Sequence, residues 1–323
     1  MTTATSFSAL PQPSSIPDPD GTLRVTDDVA ALQDLIVNVV FYGAPGGRWV
    51  LIDAGMPYTA AAKIRLAAAR RFGPGSRPEA IILTHGHFDH VGALPMLADE
   101  WDVPVYAHRR EMPYLTGRSP YPPPDPTVGG GMMARLSMLY PRGPYDFSHR
   151  MRLLPDDGSV PGMVGWKWVH TPGHTPGHVA LFRESDRTLI AGDAFVTTKQ
   201  ESAVGAITQA PVVHRPPAYY TPDWTLAYNS VRKLMDLRPA VAITGHGLPM
   251  AGAELEEGLA RLVRNFREEM PRRGRYVFEP AVADESGVVS VPPPAPDAFP
   301  KIALGVGVAA VVAMLVARSG RDD

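Results

Sequence analysis

The segment Thr84-His85-Gly86-His87-Phe88-Asp89-His90 decides how this sequence is interpreted, because it places four metal-ligand side chains within six positions. Imidazole nitrogens and carboxylate oxygens are ligands of zinc and iron. The apolar run 80–83 just before the segment predicts a buried strand. On an extended segment the first two histidines point the same way, and the aspartate and last histidine follow on the turn into a helix, where they can face a second ion. Because unpaired buried polar groups cost free energy, the segment predicts a metal site.

The composition limits the chemistry of such a site. The 323 residues include no cysteine, which excludes disulfides, zinc–thiolate sites, iron–sulfur clusters and a cysteine nucleophile. Hydrophobic residues make up 45% and the formal net charge is −2, as is typical of a globular protein with a sizeable core. The lack of a basic excess argues against a nucleic-acid partner. A metal must therefore be held by histidine and carboxylate side chains.

Further ligand-type residues follow apolar strands or turns beside glycine. They are Asp53, His174, Asp193 and His246. Each stands at the end of a predicted strand or in a turn, so all of them can lie at one rim of the predicted sheets. Each is a weak indication alone, but together with the histidine cluster, and in this order, they form a specific pattern.

Predicted strands and helices alternate along much of the chain. Strands are predicted at 35–42, 49–52, 80–83, 103–107, 167–170, 179–182, 188–191 and 241–244, and helices at 58–72, 92–100, 225–237 and 253–270. This alternation indicates sheets covered by helices. Residues 113–150 interrupt it with proline, tyrosine and glycine around a methionine-rich stretch. An insertion of this length is usually functional or mobile, and we interpret it either as a lid over the metals or as ordinary packing.

The two ends of the chain differ from its middle. Residues 1–24 lack the basic start and apolar core of a secretory signal peptide, so we expect a disordered or loosely draped arm on a cytoplasmic protein. Residues 281–300 are predicted to be a Pro-rich linker that leads to an apolar helix at 301–318. Its uncharged part, 302–317, is shorter than the roughly 20 residues that usually span a bilayer. A membrane anchor and a helix docked on a protein surface are the two alternatives.

The ligand-type residues together resemble the signature of the metallo-β-lactamase-fold hydrolase superfamily, in particular its glyoxalase-II-like and lactonase-like members. The matching positions are Asp53, His85-x-His87-x-Asp89-His90, His174, Asp193 and His246. The resemblance runs from about Leu35 to His246. It implies an α+β fold, a four-layer αββα sandwich of two mixed sheets with helices outside, for a catalytic domain at 25–280 that ends in a C-terminal helix.

The resemblance also implies two divalent metal ions, with Zn²⁺ expected and Fe or Mn as alternatives. In the ligand set that it implies, His85, His87 and His174 hold the first ion, Asp89, His90 and His246 hold the second, and Asp193 bridges them. Asp53 matches a position that does not bind the metal itself but orients the residues that do. His178 matches no ligand position and is expected to support the site structurally.

Two divalent ions about 3.5–4 Å apart lower the pKa of a shared water and so supply a bridging hydroxide nucleophile. The expected reaction is hydrolysis of a carboxylic ester, thioester or lactone, and the expected partner is this small-molecule acyl substrate. Asp193 and Asp89 are the expected catalytic carboxylates, with Asp193 as proton acceptor. The lactonases place a catalytic tyrosine three residues after the bridging aspartate, where this chain has Val196. Tyr219 and Tyr220 are the candidate substrate-binding replacements.

Two other functions remain open. A mononuclear iron oxygenase of the persulfide dioxygenase type shares much of the motif set, but one iron would leave Asp89, His90 and His246 without a role. A membrane-tethered, non-catalytic metal-binding protein is the second alternative, although no ligand position is lost. Two zinc ions per chain without oxygen uptake would favour hydrolysis over the oxygenase.

Overall fold

The computed structural model of the protein describes residues 13–14 and 16–296. Two mixed β-sheets form its centre. The strands of the first sheet are β1 (Leu23–Arg24), β2 (Val29–Asp34), β3 (Val37–Tyr42), β4 (Val50–Ile52), β5 (Ile81–Ile82), β6 (Val105–Ala107) and β7 (Met151–Leu153). They lie side by side in chain order. The pairs from β1 to β4 are antiparallel and those from β4 to β7 are parallel.

The second sheet comes from the later part of the chain. Its strands are β8 (Ser159–Val160), β9 (Met163–His170), β10 (Val179–Arg183), β11 (Thr188–Gly192), β12 (Val241–Thr244) and β13 (Met250–Ala251). They also lie in chain order. β11 and β12 are parallel, and the other neighbours are antiparallel. The carboxyl ends of β11 and β12 therefore meet at the same edge of the sheet.

Helices lie between the strands in the chain. They are α1 (Ala60–Phe72), α2 (Phe88–Val91), α3 (Leu94–Trp101), α4 (Met112–Leu115), α5 (Met132–Leu136), α6 (Ala203–Thr208), α7 (Trp224–Asp236), α8 (Gly252–Arg264) and α9 (Phe266–Glu269), with short 3-10 helices at Pro126–Val128, Ser137–Leu139 and Ala218–Tyr220. Asp223 caps α7, because its Oδ1 accepts the Leu226 N–H at 2.8 Å. Gly73, with a φ of 106°, ends α1.

Apolar side chains fill the space between the two sheets. Ile52 and Ile82 of the first sheet share one buried cluster with Leu181 and Ile243 of the second. These β-branched and leucine side chains suit the pleated, fully buried faces of two packed sheets.

Helices cover the outer face of each sheet. Leu51 of β4 and Ile64 of α1 belong to the cluster outside the first sheet. Ala242 of β12 and Leu255 of α8 belong to the cluster outside the second. The order of layers is helix, sheet, sheet, helix, which confirms the predicted α+β, four-layer αββα sandwich.

The predicted Pro-rich linker at 281–300 is wrong for its first ten residues. β14 (Val282–Asp284) and β15 (Gly287–Ser290) form a hairpin there. The Asp284 carboxylate accepts the Ser286 N–H at 2.7 Å and so stabilises the turn. The Val288 N–H donates to Ser119 Oγ at 3.1 Å, which ties the hairpin to the 113–150 insertion.

The other predictions for the termini are only partly covered by the structure. Leu23–Arg24 belong to the first sheet and Thr22 is buried, while residues 1–12 and 15 lie outside the described part. The apolar helix predicted at 301–318 also lies outside it, and the membrane anchor stays a prediction. Every helix of the described residues is too short or too polar to span a bilayer.

Candidate metal centre

The predicted ligand residues lie at one rim of the sandwich, where strands of both sheets end. His85 and His87 follow β5, and the short helix α2 that comes next carries Asp89 and His90. From the second sheet come His174, in the loop between β9 and β10, Asp193 directly after β11, and His246 after β12. Parallel pairing of β11 with β12 brings Asp193 and His246 to the same edge. The topology thus explains how residues far apart in the chain share one site.

The first ligand group consists of His85, His87 and His174, all buried. His85 Nε2 lies 3.1 Å from His87 Nδ1, and His87 Nδ1 lies 3.0 Å from His174 Nε2. Three ring nitrogens thus converge on one point. Three histidine ligands are a frequent arrangement around a catalytic zinc ion.

The second ligand group consists of Asp89, His90 and His246, and it is also buried. His246 Nε2 lies 3.5 Å from the nearer Asp89 carboxylate oxygen. Asp193 lies between the two groups, with Oδ2 at 3.4 Å from His174 Nε2 and at 3.1 Å from His246 Nε2. A carboxylate that contacts a histidine of each group is placed to bridge two ions.

The donor atoms fit divalent metal ions. His90 Nε2 and Asp193 Oδ1 are fully buried and have no hydrogen-bond partner among the described residues, which is costly unless something else binds them. Gly245 leaves room for them, since a Cβ there would lie 2.0 Å from Asp193 Oδ1. Nitrogen and carboxylate oxygen donors suit zinc, iron and manganese alike.

The three histidines of the first group are neutral at physiological pH. Burial, together with neighbouring imidazoles, lowers the pKa of His85 and His87 well below the ordinary value. Burial also lowers the pKa of His174 to about 4. A neutral imidazole carries the lone pair that a metal requires.

Charge is concentrated around Asp193. Burial lowers the pKa of His90, but the carboxylates of Asp53 and Asp193 outweigh this effect and raise it to about 10. Burial raises the pKa of Asp193, but the imidazoles of His246 and His90 outweigh that and hold it well below its ordinary value. A metal ion that binds the His90 ring nitrogen would have to displace the proton that these carboxylates favour.

Two further residues, Asp53 and His178, make hydrogen-bond contacts with ligand residues. Asp53 Oδ2 lies 2.8 Å from His90 Nδ1, and the Asp53 carboxylate also accepts the Thr84 N–H at 2.8 Å. His178 lies outside the ligand groups. Its Nε2 accepts the Asp193 N–H at 2.9 Å and its Nδ1 lies 2.8 Å from Thr171 Oγ1. Hydrogen bonds of this kind fix the orientation of a ligand side chain.

A cavity of about 130 Å³ lies over the ligand groups. Its lining residues are Ile36, Met56, His87, Phe88, Asp89, Met133, Tyr140, His174, Asp193, Pro217, Tyr219, Tyr220 and His246. Met133 and Tyr140 belong to the 113–150 insertion, which therefore contributes to the wall of the cavity. The Tyr220 ring stacks on the His87 ring with 4.2 Å between centroids. Val196, which stands where the lactonases have their catalytic tyrosine, is buried and forms an isolated β-bridge with His214.

A profile of the metallo-beta-lactamase superfamily matches residues 32–246. This range includes Asp53 and every member of the ligand groups. The chain belongs to the metallo-β-lactamase superfamily. The resemblance predicted from the motifs is thus confirmed.

Individual members of the superfamily are similar to this chain to different degrees. The probable metallo-hydrolase YflN of Bacillus subtilis is 49% identical over 240 residues, which cover 74% of this chain and 90% of YflN. Hydroxyacylglutathione hydrolase of Xylella fastidiosa is 28% identical over 153 residues, which cover 46% of this chain and 42% of that enzyme. A crystal structure of a beta-lactamase domain protein from Burkholderia ambifaria has a TM-score of 0.53 at 18% identity, covering 79% of this chain and 78% of that one. This last likeness shows the fold alone.

Sequence reasoning did not find every residue that shapes the site of this superfamily member. Glu111 and Tyr121 are buried beside the metal loop, and Ile36 and Met56 line the cavity. One indication was present for Glu111, since it follows β6 at the same rim as the ligand loop. The other residues approach the metals only through tertiary packing, which no local motif indicates.

Proposed function

We propose that this metallo-β-lactamase superfamily member is a dinuclear metal-dependent hydrolase that cleaves an ester, thioester or lactone whose reacting part is small and uncharged. The observation that carries the proposal is the complete set of buried ligand residues beneath a small cavity with aromatic walls. The similarity to YflN, a probable metallo-hydrolase, supports the reaction class.

The proposed ligand assignment follows the contacts. The first ligand group would hold one ion, the second ligand group the other, and Asp193 would bridge them. When bound, two divalent ions about 3.5–4 Å apart lower the pKa of water and polarise a carbonyl oxygen. Asp53 would keep the His90 ring oriented through its contact with Nδ1 at 2.8 Å.

Asp193 and Asp89 are the proposed catalytic carboxylates. Asp193 contacts His174 of the first ligand group and His246 of the second, which places its carboxylate where it can take up a proton close to the reacting carbonyl. Asp89 also lines the cavity. Both are nearly inaccessible to bulk solvent, which strengthens their electrostatic effect on bound substrate.

Tyr219 is the proposed hydrogen-bond donor to the substrate. It lines the cavity, and among the described residues no partner binds its hydroxyl. Burial and the nearby carboxylates of Asp89 and Glu201 raise its pKa well above the ordinary value, so the hydroxyl stays protonated. Tyr220 differs, because its hydroxyl donates to the Pro141 carbonyl at 3.3 Å and its ring packs on His87.

The cavity favours a small, neutral substrate. Its volume of about 130 Å³ is close to the roughly 150 Å³ of a protein cavity that accepts benzene. None of its lining residues is lysine or arginine, so nothing there pairs with the carboxylates of a glutathione thioester. Arg272, in the basic turn near the C-terminal helix, faces a different cavity. We therefore favour short acyl esters, aryl esters and small lactones over glutathione conjugates.

The test measures metal content and turnover on the same preparation of full-length protein. The panel contains phenyl acetate, a small unsubstituted lactone, a simple acyl thioester and a hydroxyacylglutathione thioester, with oxygen uptake recorded in parallel. We expect two divalent ions per chain, hydrolysis of the neutral substrates, and a kcat/KM for the glutathione conjugate at least 10-fold lower, because its carboxylates would find no cationic partner in the cavity lining.

Ligand variants provide the control. Asp193→Ala combined with His87→Ala is expected to abolish both metal uptake and turnover, and full activity in this double variant would overturn the metal-dependent mechanism. Oxygen uptake with a persulfide and one iron per chain would instead support the oxygenase. Two bound ions without turnover of any panel member would support a non-catalytic binding protein.

A further inference from the structure

Glu111 is a fully buried acid that the proposed reaction does not use. It lies at the start of α4, in the segment that follows β6, and its side chain is 0% exposed. A buried carboxylate is stable only when hydrogen bonds or charges satisfy both of its oxygens. Its partners therefore indicate what it does.

The two oxygens of Glu111 bind two different ligand loops. Oε2 accepts the Gly86 N–H at 3.0 Å and the hydroxyl of Tyr121, and Gly86 stands between His85 and His87. Oε1 accepts the Thr175 hydroxyl at 2.7 Å and the Gly177 N–H at 2.8 Å, and Thr175 directly follows His174. One carboxylate thus connects the loops that carry all three histidines of the first ligand group.

Both glycines permit this close approach. A Cβ at Gly86 would lie 2.4 Å from Tyr121 Oη, and a Cβ at Gly177 would lie 2.6 Å from the Glu111 nitrogen. Because all four partners are donors, the arrangement suits the ionised carboxylate, which accepts only. Burial raises the pKa of Glu111, and the hydrogen bonds from Tyr121 and Thr175 oppose that shift.

We propose that Glu111 is a positioning residue that fixes the spacing of the His85–His87 loop and the His174 loop, and thereby sets the metal affinity of the first ligand group. The second ligand group makes none of these contacts. Its histidines are oriented by Asp53 and by the Ile36 carbonyl, which lies 2.6 Å from His246 Nδ1. The inference rests on the metal-ligand assignment and not on the proposed substrate.

The test replaces Glu111 and measures the two metal dissociation constants by competition with a chromophoric zinc chelator. Glu111→Gln retains the shape but presents an amide N–H₂ to fixed N–H donors. We expect the zinc affinity of the first ligand group to fall about 10- to 100-fold, the usual effect of losing an outer contact to a ligand, while that of the second changes less than about 3-fold. His87→Ala and Asp89→Ala, each of which lacks a ligand of one group, assign the two constants.

Milder variants keep the proposal testable if Glu111→Gln does not fold. Tyr121→Phe and Thr175→Val each leave the carboxylate with three donors, and each should weaken zinc binding at the first group by a smaller factor. Asp28→Asn is the matched control. Asp28 pairs with Arg183 at 2.6 Å, and it precedes β2, whereas Ile36, which contacts the ligand His246, follows the other end of that strand. This variant should lower the melting temperature without changing either constant.

The outcomes separate positioning from general stabilisation. Equal weakening of both ligand groups, or a lower melting temperature with unchanged zinc affinities, would show that Glu111 supports the fold only. Because the readout is zinc affinity, the result does not depend on finding a substrate. Failure of the substrate panel alone would leave this inference untouched.

Discussion

Two adjacent tyrosines line the cavity, but among the described residues only the Tyr220 hydroxyl has a hydrogen-bond partner, and removing each hydroxyl tests what this difference does. We predict that Tyr219→Phe lowers kcat by about 100-fold, the usual effect of losing a donor to the developing oxyanion. Tyr220→Phe should change kcat by less than about 3-fold, because the ring that packs on His87 is retained. Steady-state kinetics with the best neutral ester, together with metal content, measure both effects.

The pair of variants is its own control. Both remove a hydroxyl from a buried tyrosine in the same short 3-10 helix. If Tyr219→Phe is as active as the unchanged protein, its hydroxyl does not contact the transition state. If Tyr219→Phe loses metal, the tyrosine acts on the ligands instead.

At the scale of single residues, the sequence predicted which ligand-type side chains converge, but not the residues that hydrogen-bond to the loops carrying them. The sequence indicates every residue of the ligand groups, because histidine and aspartate beside glycine after apolar strands form a recognisable local pattern. Glu111 was not selected for its role. Its four donors come from positions 86, 121, 175 and 177, and no local pattern relates such distant segments.

Among the structural elements, the turn after β12 lies directly against the ligand residues at Gly245. A Cβ at Gly245 would lie 2.0 Å from Asp193 Oδ1 and 2.8 Å from His90 Cε1. We predict that Gly245→Ala lowers metal affinity at least about 10-fold, because the methyl group displaces atoms that must converge on the ions. Metal per chain after dialysis against graded chelator is the measurement.

Gly258 on α8 offers a matched control for steric disturbance alone. A Cβ there would lie 2.5 Å from Val213 Cγ2, in the outer cluster and not at the metal rim. Gly258→Ala should lower the free energy of unfolding by about 1–3 kcal/mol, as overpacking usually does, with metal affinity unchanged. Equal metal loss in both variants would contradict the explanation given for Gly245.

The four longest helices and eight of the fifteen strands of the described residues were predicted, and the errors have physical causes. β2 was missed because it connects to β3 through Leu35, which adopts a φ of 57°, a left-handed conformation that an apolar side chain rarely takes. The predicted helix 253–270 is two helices, since Asn265 ends α8 with a φ of −106° and a ψ of 18°. Asparagine often ends helices by competing for backbone hydrogen bonds.

At the scale of the whole molecule, a buried ion network outside the ligand groups centres on Glu201. Glu201 pairs with Arg215, accepts the Ala218 N–H at 2.7 Å and lies 3.6 Å from His214 Nε2. Burial raises the pKa of Glu201, but Arg215 and His214 outweigh it and hold it below the ordinary 4.5. Burial lowers the pKa of His214, but Glu201 and Glu269 raise it above 6.5 overall.

We predict that Glu201→Gln lowers the free energy of unfolding by about 3 kcal/mol near pH 6, because it leaves a buried arginine without its partner. A carboxyl whose pKa is lowered by folding stabilises the protein above its unfolded pKa and loses that effect as the pH falls. A histidine whose pKa is raised by folding stabilises the protein below its unfolded pKa and loses that effect as the pH rises. The difference between the two proteins should therefore be largest between about pH 4.5 and 6.5 and shrink below that range.

Urea unfolding at a series of pH values measures this difference. Glu257→Gln is the control, since Glu257 is exposed on α8 and such surface changes usually stay within about 0.5 kcal/mol. A Glu201 variant whose stability follows that of the unchanged protein at every pH would show that the network contributes nothing.

The ligands at the metal rim come from both sheets, with His85, His87, Asp89 and His90 on one side and His174, Asp193 and His246 on the other. Two metal ions bound by these residues would therefore cross-link the two halves of the sandwich. An ion present at about 1,000 times its dissociation constant stabilises the folded chain by about 4 kcal/mol. Chelation should consequently loosen the sandwich from this rim first, so that amide hydrogens beside the ligand loops exchange with solvent while those at the far ends of the strands stay protected.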